Sequence, residues 1–137
     1  MQSPTTSESH TGGSAQYTGR PLRPDQARDA ASEFLTSLDP PTAESTAQNV
    51  LLLVSELVTN ALRHAGAVTS LKLRADHVRI QVTVEDPSPA HPQGRAPDWT
   101  GLAGGFGWPM IERLTQSLTI VPVRPGGGKA IIAALAR

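Results

Sequence analysis

Apolar residues recur along this chain with two different periods, and the change of period separates helices from strands. Ala27, Ala30, Ala31, Phe34, Leu35 and Leu38 are spaced for one side of a helix that begins near Pro24 and is ended by Pro40-Pro41. Leu51, Val54, Val58, Ala61, Leu62 and Ala65 form a second stripe, widened by Leu53 and Leu57. That helix is expected over 42–65, with Thr42 as its cap and Gly66 as its stop. Beyond Gly66 the period falls to two. Leu71, Leu73 and Ala75 alternate with Lys72 and Arg74 in a strand over 68–75, and Val78, Ile80, Val82 and Val84 alternate with Arg79, Gln81 and Thr83 over 78–84. The short link Asp76-His77 predicts a hairpin. Residues 87–107 are rich in Pro and Gly, and a connection of that length is usually functional or mobile. A short helix follows, with Pro109 in its first turn and Trp108, Ile111 and Leu114 on one side. Two strands, 117–123 and 129–136, are joined by Pro125-Gly126-Gly127-Gly128. The order α-α-β-β-loop-α-β-β predicts the α+β class. The expected form is a two-layer α/β sandwich, with helices on one face of a mixed, mostly antiparallel β-sheet.

Composition narrows this picture. The 137 residues suffice for one domain with a real core. Residues 1–20 are Ser, Thr, Gly and other polar types, which bury too little to offset their ordering entropy. A disordered tail is expected there, with the folded domain over 21–137. Lys+Arg and Asp+Glu both number 12, so the formal net charge is +0, which argues against direct nucleic-acid binding or a membrane surface. Cysteine is absent, which removes disulfides and thiolate metal sites. No apolar run approaches the roughly 18 residues of a membrane span, and the expected location is cytoplasmic.

The candidate chemistry starts on the second helix. In SELVTNALRHA, residues 55–65, Glu56, Asn60 and His64 follow one another at one-turn intervals beside the apolar stripe. Taken alone, they are accounted for by an ordinary solvated face, since polar arcs are the rule on surface helices. Asp86 continues the inward phase of Val78, Ile80, Val82 and Val84. A carboxylate on a buried face needs a partner; alternatively the strand ends first and Asp86 opens a turn with Pro87. GLAGGFGW, residues 101–108, precedes a helix, and its glycines suit either an anion cradle or a flexible loop. Gly126-Gly127-Gly128-Lys129 reads either as a hairpin turn and nothing more, or as a turn whose lysine also stands near the same pocket.

Together these pieces resemble the Bergerat ATP-binding fold shared by gyrase, the heat-shock ATPase chaperones, histidine kinases and MutL. The nearest likeness is to its anti-sigma-factor serine/threonine kinase branch. SELVTNALRHA matches the family's E-x-x-x-N-A-x-x-H-A signature in full. The resemblance implies ATP and Mg²⁺ as cofactors. Asn60 would hold the magnesium, Glu56 would be the catalytic base, His64 would support them, and Asp86 would receive the adenine amino group. Ser88 would stand at the pocket rim. Gly104, Gly105, Phe106 and Gly107 would cover the phosphates, and Gly128 and Lys129 would form the closing turn. Two departures stand out: Asp86-Pro87-Ser88-Pro89 replaces a glycine-rich continuation, and Phe106 stands where that branch often has arginine. The implied activity is phosphorylation of a serine or threonine on a partner, a sigma factor or its anti-anti-sigma antagonist being the family's partners. The alternatives are a non-enzymatic, nucleotide-gated regulator that captures a partner, with Phe106 and Trp108 as contact residues, and a structural domain with no ligand. The resemblance also admits a homodimer, with the helix near 24–38 as a contributor.

Overall fold

The computed structural model describes residues 7–11, 14–89, 107–123 and 126–137. Their elements run Ser7–Thr11 (β1), Ser14–Gly19 (β2), Pro24–Thr36 (α1), Glu44–Ala65 (α2), Ser70–Ala75 (β3), Arg79–Asp86 (β4), Gly107–Leu114 (α3), Ser117–Val123 (β5) and Gly128–Ala136 (β6). The strands form one sheet in the order β1-β2-β3-β4-β6-β5. Every described pairing is antiparallel, so the expected mixed character is not seen among these strands. The class is α+β, as the periodicities predicted.

Register builds the core. Leu71 faces Val84, Leu73 faces Val82 and Ala75 faces Ile80 across β3 and β4. Ile80, Val82 and Val84 in turn face Leu135, Ala133 and Ile131 of β6. Directly paired residues share a face of the sheet, so these rows make one continuous apolar surface. Helices α1 and α2 pack together over it, α2 reaching β4, β6 and α3. Phe34, Leu53, Leu57 and Ile111 are fully buried in the same cluster.

The N-terminal region departs from expectation. Residues 14–19 are a strand rather than a disordered tail, paired with β3 from Ala15↔Ala75 to Gly19↔Leu71. Ala15 and Tyr17 join the core. The Tyr17 ring lies over Gly19, where any Cβ would run into its hydroxyl. The sequence of β2 is too short and polar to announce this. Pairing with an otherwise open edge of β3 satisfies backbone groups that propensity does not report.

Thr42 does not cap α2: the helix begins at Glu44, its N-cap is Ala43 with no side-chain cap, and Thr42 Oγ1 is buried without a partner. Val78 leaves the inward set and is 69% exposed in the turn. There the Asp76 carboxylate accepts the N–H groups of Val78 at 2.7 Å and Arg79 at 2.8 Å, which fixes the hairpin. The second strand also extends beyond 84, through Asp86.

Candidate functional site

Strand β4 carries its inward phase to its last residue. Ile80, Val82, Val84 and Asp86 are all buried, and Asp86 pairs with Lys129 of β6. The reading in which the strand stops and Asp86 opens a solvated turn is therefore overturned. The carboxylate is 1% exposed and the lysine side chain 5%. Lys129 Nζ lies 3.0 Å from both Asp86 Oδ1 and Oδ2 and donates to the Ser88 carbonyl at 3.3 Å. The Ser88 N–H donates to Asp86 Oδ1 at 2.9 Å. Two charges this dry persist because each neutralises the other and because the backbone supplies further hydrogen bonds. Gly128 lets β6 approach closely: a Cβ there would run into the Asp86 carbonyl oxygen. The turn that leads into β6 is closed by Gly126 and Gly127 at φ 109° and 75°, values that favour glycine.

The helix α2 supplies the other half. It ends at Gly66, φ 79°, whose N–H donates to the Leu62 carbonyl at 3.1 Å. Residues 66–69 then lead directly into β3, where Thr69 N–H donates to the Glu85 carbonyl at 2.8 Å and Ser70 pairs with Glu85. This short connection brings the C-terminal part of α2 to the end of the sheet at which Asp86 lies. Leu53, Val54, Leu57, Val58 and Ala61 fill the buried stripe, while Glu56 and Asn60 are half-buried beside it and His64 is exposed. The series seen in the sequence is thus a graded edge, descending from core to solvent along the last turns.

Asp86, Ser88, Gly128 and Lys129 form one cluster, and Glu56 and Asn60 stand on the helix that covers their face of the sheet. Gly104, Gly105 and Phe106 lie outside the described residues; Gly107 is the first residue of α3. Trp108 is half-buried and packed against the core. The ion pair itself was missed, because the contact of Lys129 with Asp86 depends on strand register across 43 residues.

The donor set bears on which groups fit here. Among the described residues no three His, Cys, Asp or Glu side chains cluster as a metal cage. A half-buried amide such as Asn60 suits Mg²⁺ instead, since that ion keeps several waters and takes further oxygens from phosphates. Asp86 Oδ2 has one described partner and keeps acceptor capacity for an amino group. The two described cavities lie away from this site. One of about 340 Å³ is lined by Ser14, Arg74, Asp76, Val78, Arg79 and Gln81, and one of about 290 Å³ lies between α1 and α2 around Leu35, Pro41 and Leu51.

A family model described as the histidine kinase-like ATPase domain matches residues 20–134. A search of curated proteins returned no match. Among solved structures, the histidine kinase domain of the blue-light activated histidine kinase from Erythrobacter litoralis EL346 is 28% identical, with a TM-score of 0.38; the match covers 66% of this chain and 47% of that one. No helix among the described residues is long and apolar enough to cross a membrane.

Proposed function

The chain belongs to the histidine kinase-like ATPase domain family, and from that premise we propose that it binds MgATP and phosphorylates a serine or threonine of a regulatory partner in the manner of an anti-sigma-factor kinase. The observation that carries this reading is the buried carboxylate of Asp86, on the helix-covered face, at the end of the sheet to which α2 delivers Asn60 and Glu56. Asp86 accepts the amino group of adenine. The Asn60 amide oxygen holds the cation, and Glu56 takes the proton of the attacking hydroxyl. When bound, MgATP supplies the phosphoryl group and the counter-charge its transfer requires. Little covalent chemistry is asked of the protein, because phosphoryl transfer depends mainly on positioning and charge neutralisation.

Radiolabelled transfer from ATP to a candidate antagonist protein tests the proposal. Transfer is expected with the wild type and is expected to fall by two orders of magnitude or more in Glu56→Ala, in line with the usual contribution of a positioned base. Undiminished transfer in that variant removes Glu56 from the mechanism. A second reading is favoured by the sequence Gly105-Phe106-Gly107, which lacks the arginine common in the kinase branch. Without that guanidinium one charge-assisted contact to phosphate is lost. The chain would then be a cytoplasmic nucleotide-gated regulator that captures a sigma factor or its antagonist without turnover. Partner capture that requires ATP, persists in Glu56→Ala and is accompanied by no transfer selects this second reading.

A further inference from the structure

The proposed nucleotide site contains a cation that the expected adenine contact does not use. Asp86 and Lys129 are both nearly inaccessible, at 1% and 5% side-chain exposure. A hydrogen-bond count of this pair decides what it can offer a ligand. An ammonium has three protons and no acceptor. Lys129 Nζ has three described acceptors, Asp86 Oδ1 and Oδ2 at 3.0 Å and the Ser88 carbonyl at 3.3 Å. Its donors are therefore spent. Asp86 Oδ1 accepts from Ser88 N–H as well as from Lys129, whereas Oδ2 accepts from Lys129 and retains a lone pair. Toward a ligand the pair is an acceptor with no donor.

We infer that Lys129 is a specificity-determining residue, holding Asp86 as an acceptor-only carboxylate so that the site takes 6-aminopurine nucleotides and rejects 6-oxopurines. The inference rests on the nucleotide-binding reading above and deepens it. A 6-amino group gives its N–H to Oδ2. A 6-oxo group in the same place sets one acceptor against another, and no described N–H of Lys129 is left to relieve it. A shifted base that offered its ring N1–H to the carboxylate would still bring the 6-oxo oxygen toward Lys129, whose described N–H groups are already given to Asp86 and Ser88. An unsatisfied buried acceptor of this kind costs enough to separate the two bases by on the order of tenfold or more. Without the ammonium, a carboxyl group this dry has no counter-ion and takes up a proton. It then carries an O–H donor, and a 6-oxopurine finds a partner.

The test is calorimetric binding of ATP and inosine triphosphate, each with Mg²⁺, to the full chain. The wild type is expected to prefer ATP by at least ~10-fold, and Lys129→Met is expected to bring the ratio close to one. The paired variant Asp86→Asn/Lys129→Met contains no lone buried charge and presents a carboxamide that donates or accepts according to its flip, so its ratio is also expected near one. It decides the matter if Lys129→Met does not fold. Equal affinity of the wild type for the two nucleotides overturns the inference and leaves ATP binding intact. A folded Lys129→Met or paired variant that keeps the wild-type ratio overturns it too. If the wild type binds neither nucleotide, the nucleotide-binding reading fails first and takes this inference with it.

Discussion

Single residues in this protein hold positions whose cost of replacement follows from local geometry. Lys129 is the most consequential: removing one partner of a buried ion pair leaves the other without its counter-charge, to be carried or neutralised at a cost, so Lys129→Met is expected to lower the unfolding free energy by about 3–5 kcal/mol. The paired Asp86→Asn/Lys129→Met variant is expected to recover much of that loss, and urea titration of the two variants measures the difference. Gly66 ends α2 at φ 79° with open space where a Cβ would stand, so Gly66→Ala is penalised through backbone conformation alone, by roughly 1 kcal/mol. Asp76 acts through charge. Backbone hydrogen bonds from Val78 and Arg79 hold its carboxyl below its usual value of 3.8. A depressed carboxylate stabilises the fold above its unfolded pKa, and that contribution disappears as pH falls through the folded one. Wild type should therefore melt above Asp76→Ala at neutral pH, with the gap closing below about pH 4. A gap that persists in full at pH 2 would mean that the hairpin does not depend on the ionised side chain.

At the scale of elements, the sequence was most readable where one apolar face repeats over several turns. The start of α1, both ends of β5 and the C-terminus of α2 agree with the periodicity because Ala27, Leu118 and Gly66 each belong to a strong local pattern. Asn60 and Glu56 were legible as a series for the same reason. Reading weakened where pairing replaced pattern. Strand β2 is polar on alternate positions and contributes only Ala15 and Tyr17 to the core, so its composition looks like that of a tail. Its order comes from the edge of β3, which lies more than fifty residues further along the chain. Thr42 was legible as a cap by residue type, yet helix entry is set by the turn before α2, which starts the helix two residues later. Tyr17→Ala should destabilise the domain by about 3 kcal/mol, the loss expected for a large aromatic side chain in a core. Chemical denaturation measures it, and a change within ±0.5 kcal/mol, the range of an ordinary surface substitution, would return residues 14–19 to the status of a dispensable tail.

The whole molecule places its candidate chemistry at one end and one side of the sheet. In the order β1-β2-β3-β4-β6-β5, Asp86 and Lys129 sit on the adjacent strands β4 and β6, under α2, whereas β1 and β2 form the far edge. A ligand that binds the folded state raises its stability in proportion to the logarithm of its excess, about 2.7 kcal/mol at a hundred times Kd. That gain is global when exchange proceeds by full unfolding, but local openings are suppressed only where the ligand bridges elements. Saturating MgATP should therefore slow amide exchange most in the C-terminal half of α2, at the end of β4 and at the start of β6. The amides of β1 should change little. Asn60→Ala should lose most of the Mg²⁺-dependent part of this protection while keeping the part that ADP gives without the cation, because its amide is assigned to the metal and Asp86 to the base. Protection confined to β1 and β2, or to the cavity around Arg74 and Arg79, would locate the nucleotide at the wrong end of the sheet and remove Asp86 and Asn60 from its binding together.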